Sequence, residues 1–433
     1  MGGLWGNMRV AVPQRGGFGQ VLRDLRDSRR LTQEELAEAS GSSVRTIREM
    51  ERGRVRTPQR RTVALLADAL GLAGADRDGF LDLARAQRCP PGPTARPPLP
   101  AVPSELPAAV PELVDREPEL AALTRLAAGV TDGSATTSSV VVLHGPPGIG
   151  KGSLAVAAGH RLGGGFGDGQ LFVDLRGTAP AGPVDPAEAL AGLLRSLGLP
   201  EAGIPGPAEQ RGRLFRTLTH ERRLLIVLDD AADEAQVRPL LPAGRHCLTL
   251  VTSRRALTGL TGTVRVPLGL LAPDAARRLL ASIAGPERLA ADPTGTDELV
   301  ELCGRLPLAI RVAGNRLASR PGSPVAQLVA RLRDPGRRLA ELATGDLDVR
   351  AAFDASYRRL GPTAAGVFRR ASLLHGPEFD AALLATVTGA TAEVAAACAE
   401  ELVDAGLLLA REDRYGFHGL ARVYARDRLR AEG

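Results

Sequence analysis

The sequence predicts a multidomain chain in which an all-α helix-turn-helix domain precedes an α/β domain with a parallel, doubly wound sheet. Three observations carry this. The chain has 433 residues, about three times a common domain length. Before residue 89 apolar residues recur at helical spacing, whereas between residues 138 and 254 short apolar, β-branched runs alternate with helical stretches. Between these regions, Cys89 to Pro111 carries nine prolines, a density that blocks both helix and ladder. Extended as polyproline, such a linker could hold two bodies roughly 70 Å apart.

The first body, residues 15–88, reads as five short helices: Phe18 to Leu25, Leu31 to Ala39, Val44 to Met50, Val63 to Leu70 and Phe80 to Ala84. Thr32 with Glu35 forms a T-x-x-E capping box, and Gly41-Ser42-Ser43 supplies a tight turn before the next helix. In that helix Ile47 and Met50 face inward with Leu36. Ser43, Val44, Arg45, Arg48 and Glu49 are left outside, where a major groove could receive them. Arg45 suits guanine and Glu49 could accept from cytosine. The following cluster, Arg52, Arg54, Arg56, Arg60 and Arg61, suits phosphates. With Gln33, the residues Ser43, Val44, Arg45, Arg48, Glu49, Arg52 and Arg54 form the candidate contact set for double-stranded DNA. The stretch LTQEELAEASGSSVRTIREMERG closely resembles the helix-turn-helix of the xenobiotic-response-element and phage-repressor type.

After the linker, Ser138 to Leu143 leads into Gly145-Pro-Pro-Gly148-Ile149-Gly150-Lys151-Gly152-Ser153 and then a helix. Strand, glycine loop and helix make a P-loop: backbone amides and the helix N-terminus cradle phosphate oxygens, and the lysine reaches the β- and γ-phosphates. Of the 55 basic residues in the chain only Lys151 is a lysine, a compact charge kept where arginine's planar fork would not serve. A second run, Leu224 to Leu228, ends in Asp229-Asp230, as a Walker-B strand does. Asp229 would hold Mg2+, directly or through water, and Asp230 could orient an attacking water; otherwise the pair caps a strand end. Cys247 to Val251 ends in Thr252-Ser253-Arg254, and Gln170 to Leu175 supplies a further strand. Arg254 is either a γ-phosphate contact or a solvent-exposed arginine.

Taken together, LVDRE around Arg116, the P-loop, LLIVLDD, LVTSR, CGRLPLA around Pro307 and FHGL around His418 strongly resemble the NB-ARC class of STAND NTPases. The resemblance implies a nucleotide-binding domain over 112–262, a small helical domain over 263–345 and a winged helix over 346–433. It further implies a switch that is closed on ADP and opened by ATP, with Arg116 and Pro307 near the base and His418 on the phosphates. On the residues alone, Pro307 could instead break a helix and His418 could be a core histidine. The chain departs from the pattern twice. Gly152 replaces the Ser or Thr that normally gives its hydroxyl to Mg2+, and Gly419 replaces an aspartate after the histidine. Nucleotide binding with weakened Mg2+ affinity and, at most, slow ATP hydrolysis is the expectation.

The four cysteines, Cys89, Cys247, Cys303 and Cys398, show no metal-ligand spacing and read as buried reduced thiols. No apolar run approaches the roughly 18 residues needed to span a bilayer, so no membrane partner and a cytoplasmic location are expected. The net charge of +6 is compatible with a polyanionic partner. The resulting expectation is a DNA-binding transcriptional regulator controlled by ADP or ATP, whose trigger is nucleotide level, homo-oligomerisation or an unidentified sensor or activator protein. An ATPase remodeller, or a scaffold whose helix-turn-helix docks protein, are the alternatives.

Overall fold

The computed structural model describes residues 18–52, 60–86 and 102–432. Arg54, Arg56, Cys89 and residues 89–101 of the proline-rich stretch lie outside them, as does the side chain of Arg60. The chain divides into two compact units, Met1–Leu99 and Pro100–Gly433.

The first unit is all-α, as predicted: α1 (Phe18–Ser28), α2 (Gln33–Ser40), α3 (Val44–Glu51), α4 (Arg60–Ala69) and α5 (Gly74–Ala86). The capping box forms, with Glu35 N donating to Thr32 Oγ1 and Thr32 N donating to Glu35 Oε2. Gly41, at φ 64°, then ends α2 in the left-handed region. Amphipathic spacing sends Phe18, Leu22, Leu36, Ile47, Met50, Leu66 and Phe80 into one core, and the Phe18 and Phe80 rings pack 5.0 Å apart.

The second unit opens on an extended segment that binds the sheet. Gln170 N donates to Pro103 O and Glu105 N to Gln170 O, and His160 Nε2 lies 2.7 Å from Pro107 O. Residues 102–107 therefore do not act as a free spacer: their unpaired backbone groups find partners on the sheet edge. After α6 (Glu117–Thr131) come β1 (Ser139–His144), α7 (Lys151–Leu162), β2 (Gly169–Asp174), α8 (Pro186–Ser196), α9 (Ala208–Thr219), β3 (Leu224–Ala231), the single turn α10 (Glu234–Val237), β4 (Leu248–Ser253) and β5 (Thr263–Pro267). The order β2-β3-β4-β1-β5 is parallel at every pairing, and the central strands are buried and β-branched, as a sheet covered on both faces requires. β5 pairs with β1 through Val140–Thr263 to His144–Pro267, so the sheet continues past residue 262, where sequence reasoning ended the domain. Its half-exposed, alternating TVRVP run is too short to announce a strand.

Six helices follow: α11 (Pro273–Ala284), α12 (Pro286–Ala290), α13 (Pro293–Leu302), α14 (Pro307–Ala318), α15 (Val325–Arg333) and α16 (Pro335–Glu341). Most begin on a proline, whose fixed φ and missing N–H suit a helix's first position; Pro307 thus starts a helix. A hairpin, β6 (Ala343–Thr344) and β7 (Leu347–Asp348), leads to the last body. There α17 (Val349–Tyr357), α18 (Pro362–Ala371), α19 (Ala381–Thr388), α20 (Ala392–Asp404) and α21 (Gly419–Glu432) surround an antiparallel sheet in the order β8-β10-β9, built from β8 (Glu378–Phe379), β9 (Leu409–Arg411) and β10 (Arg414–Gly416). This is a winged-helix arrangement. One apolar cluster runs from Leu154 beneath the P-loop through Ile310 to Phe353 and Tyr424, so the winged helix shares its core with the helices behind the sheet. No single helix among the described residues is long and apolar enough to cross a membrane. Cys247, Cys303 and Cys398 are buried and free.

Candidate functional site

β1 delivers its C-terminal end into the loop Gly145–Gly150, and α7 starts at Lys151. Gly148 adopts φ 74°, and a Cβ there would meet Leu308 Cβ at 2.9 Å; the loop closes only without a side chain. Lys151 Nζ donates to the carbonyls of Gly145 and Pro146, both at 2.9 Å. Burial and the Arg254 charge push its amine down to about 7, although Asp230 and Asp229 favour the ammonium. Among the described residues Lys151 has no salt-bridge partner, so its amine and the N-terminus of α7 together favour an anion at this loop.

On one side of this loop lies a cavity of ≈350 Å³. Arg116, Gly148, Ile149, Gly150, Ser153 and Pro307 all line it, so the structure brings together six candidate residues spread over nearly 200 positions. Leu113, Val114, Leu271, Leu279, Leu308 and Leu347 make the remaining walls largely apolar, which suits a planar base. Arg116 is 5% exposed. It donates from Nη2 to Gly269 O (2.9 Å) and Ile149 O (3.3 Å), tying the segment before α6 to the P-loop. Glu112 and Arg311 form an ion pair at 2.9 Å on the cavity wall; nothing in their sequence context singles them out.

On the other side stand the β3 carboxylates. Because β4 lies between β1 and β3, the end of β4 reaches Asp229: Thr252 Oγ1 donates to Asp229 Oδ1 at 2.5 Å. Burial holds the Asp229 carboxyl above the usual carboxylate range, against that hydrogen bond. Asp230, at φ 51°, is turned away from the expected water. Its Oδ2 accepts from Thr178 N and Thr178 Oγ1 at 2.9 and 2.8 Å, because the β-bulge after Leu228 re-aims it toward the loop after β2. Sequence reasoning missed Thr252 and Thr178; lone threonines at strand ends carry no signal.

The winged helix meets this end of the sheet. Gly406 sits on the loop: a Cβ there would lie 3.1 Å from both Pro146 Cα and Pro147 Cδ. Arg254 is not free in solvent; it is bonded to the winged helix. Its Nη1 donates to Ala352 O and to Ser356 Oγ, both on α17, and Ser356 Oγ donates to Ala405 O. Arg359 Nη1 donates to Gly177 O, and Arg255 pairs with Asp404 at 3.3 Å. A cavity of ≈200 Å³ remains between these arginines, Thr178 and Asp404. His418, 3% exposed, stacks on Phe353 at 5.3 Å, and neither ring nitrogen has a hydrogen-bond partner. Burial pushes its pKa down to about 4, so the ring is neutral.

In the helix-turn-helix unit, Ser43 is spent as the N-cap of α3, accepting from Thr46 N, and Val44 packs against the core. Arg45, with 87% of its side chain exposed, lies 3.2 Å from Glu49; the two base-reading candidates hold one another. Arg48 Nε donates to Gln33 Oε1, and Gln33 Nε2 donates to Glu51 Oε2. Glu51, which sequence reasoning passed over, is buried and accepts from Arg26 Nε at 2.6 Å. Burial opposes its charge, but Arg26, Gln33 and Arg23 keep its carboxyl below the usual value. Arg52 ends α3 and is exposed.

Residues 18–80 match the family model described as a helix-turn-helix domain. The chain is 43% identical over 301 residues to "Regulatory protein AfsR" of Streptomyces coelicolor, which covers 69% of this chain and 30% of that protein. It is 40% identical over 307 residues to the protein of the same name from Streptomyces griseus, with 71% and 31% covered. The chain thus spans about a third of the length of these relatives. Among solved structures, the Walker-type ATPase PABY2304 of Pyrococcus abyssi aligns over 73% of this chain and 96% of its own, with a TM-score of 0.50 and 15% identity. With the matched helix-turn-helix domain, that likeness establishes the fold: a helix-turn-helix domain followed by a P-loop ATPase-like body with a helical C-terminal region.

Proposed function

We propose that this chain is a DNA-binding transcriptional regulator whose state is set by ADP or ATP in the P-loop pocket. One observation carries the reading: the groups that would meet the terminal phosphates also hold the winged helix. Gly406 rests on the loop whose amides form the cradle, and Arg254 is bonded to α17. A bound γ-phosphate competes with α17 for Arg254, so nucleotide identity biases the placement of the winged helix. The name shared by the two relatives and the matched helix-turn-helix support regulation through DNA. In this reading the modules are those of an NB-ARC STAND switch behind a xenobiotic-response-element-type reader. Arg116, Pro307 and the apolar walls accept the base, Gly145 to Ser153 the phosphates, and His418, whose ring nitrogens have no partner, would supply a phosphate contact in the closed form.

The winged helix is not the DNA reader. Its helix α20, which precedes the β9–β10 hairpin, carries Glu393, Glu400, Glu401 and Asp404 and no basic residue, which repels a phosphate backbone. Reading falls to α3, with Arg45, Arg48 and Glu49 toward bases and Gln33 and Arg52 as supports. Turnover is slow at most, because Asp230 is bonded to Thr178 and the P-loop lacks a hydroxyl at Gly152. The expected compartment is the cytoplasm, where DNA and nucleotide are both at hand.

Denaturing the purified chain and identifying the released nucleotide, beside Lys151→Ala, tests the pocket. Bound ADP or ATP that is lost in the variant supports the reading, and a pocket that stays empty after either is added refutes it. On duplex DNA, Arg45→Ala should relax sequence choice by about 1–3 kcal/mol at one position. Arg52→Ala should weaken all sequences alike and flatten the salt dependence. A chain without salt-dependent DNA binding would be a scaffold.

A further inference from the structure

We infer that the pocket holds its nucleotide without a divalent cation, and that Gly152 and Thr252 are the residues that remove the ion from the site. This rests on the nucleotide reading above. A P-loop ordinarily fastens Mg2+ through a Ser or Thr hydroxyl in the first turn of its helix, with the Walker-B carboxylate close by. Mg2+ also demands near-octahedral oxygen ligands at about 2.1 Å and gives up its waters reluctantly. The residues here do not fit that shell.

Gly152 offers no hydroxyl, and the Asp229 carboxylate crowds the place where one would stand. The Asp229 carboxylate points both oxygens at the glycine, so that a Cβ at 152 would be 3.0 Å from Oδ1 and from Oδ2. A cation with its waters between α7 and β3 needs the same space. Thr252 keeps the carboxylate there: its Oγ1 donates to Asp229 Oδ1 and accepts from Asp230 N, which pins the ends of β3 and β4 together. The neighbouring carboxylate is spoken for as well, since Asp230 Oδ2 takes two hydrogen bonds from Thr178. Ser153 lines the cavity on the opposite side of the loop, where it does not replace the missing ligand. What remains for phosphates is positive: Lys151, the loop amides and the N-terminus of α7. Thr252 is therefore a positioning residue, giving Asp229 the hydroxyl partner that the P-loop no longer supplies.

The test is calorimetric titration of the full chain with ADP and with ATP, in excess Mg2+ and in EDTA, beside Gly152→Ser and Thr252→Val. The expected result is that the Kd of the unaltered chain changes by less than about threefold between the two conditions, a difference of under about 0.7 kcal/mol. Each variant should gain a preference for Mg2+ of about tenfold or more. In Gly152→Ser the gain comes from the restored ligand, and in Thr252→Val from the freed carboxylate. Thr252→Val is nearly isosteric and serves if the serine crowds Asp229 and unfolds the chain. A tenfold tightening by Mg2+ in the unaltered chain overturns the inference, as does a variant that binds but stays indifferent to the ion. Failure of the unaltered chain to bind nucleotide in either condition overturns the nucleotide reading itself.

Discussion

At Lys151, burial and the neighbouring Arg254 lower the amine to about 7, while a bound polyphosphate would favour the ammonium. Binding should therefore take up a proton. Affinity for ADP is expected to be greatest below about pH 7 and to fall by up to about tenfold per pH unit above it, as read by calorimetry in buffers of different ionisation enthalpy. Stability should move the other way. Between about 7 and the ordinary 10.5 the unfolded lysine binds a proton that the folded one does not, so the ligand-free chain gains stability as pH rises through that window. An affinity that is flat from pH 7 to 9 would show that binding does not change the protonation of this amine. Arg254 illustrates what residue type alone cannot say. Its place at a strand end was legible, but its attachment to Ala352 and Ser356 depends on an element about a hundred residues away.

Elements that carry local chemistry were the most readable. Thr32 and Glu35 specify the start of α2 by themselves, and Thr32→Ala should destabilise the helix-turn-helix unit by about 1 kcal/mol. The loss should appear as faster amide exchange in α2, and weaker Arg48 positioning should follow, because Gln33 sits in the first turn of that helix. Unchanged exchange at Glu35 and Leu36 would show that tertiary packing alone sets this helix end. The P-loop, with its glycines and sole lysine, and the apolar runs of β1, β3 and β4 were equally plain. What the sequence hid depends on distant partners. β5 is a short edge strand with half-exposed residues, and residues 102–107 look like linker because their partners are the backbone groups of β2. Thr252, Thr178, Glu112 and Arg311 matter only through what the fold brings beside them.

At the scale of the whole second unit, the contact between the winged helix and the P-loop is small. Gly406, at φ 69°, lets the turn after α20 lie on Pro146 and Pro147, although the shared apolar cluster is much larger. Gly406→Val adds a side chain where there is no room and a backbone strain of order 1–3 kcal/mol. It should lift the winged helix from the loop while leaving the remaining core packed. The expected readout is nucleotide release faster by about tenfold. Unaltered release would mean that closure over the loop does not hold the ligand. The Arg254, Arg255 and Arg359 contacts would loosen together, since all three cross between the winged helix and the sheet domain.

The single lysine has a practical corollary. A protease that cleaves only after lysine has one peptide bond to attack in the entire chain, and that bond opens α7 beneath two proline-flanked carbonyls. A folded P-loop cannot present it in the extended form a protease cleft requires, so cutting must wait for the loop to open. The rate at which one band becomes two on a gel therefore measures how often this loop opens, without label or mutation, and anything that holds the loop shut will register as protection.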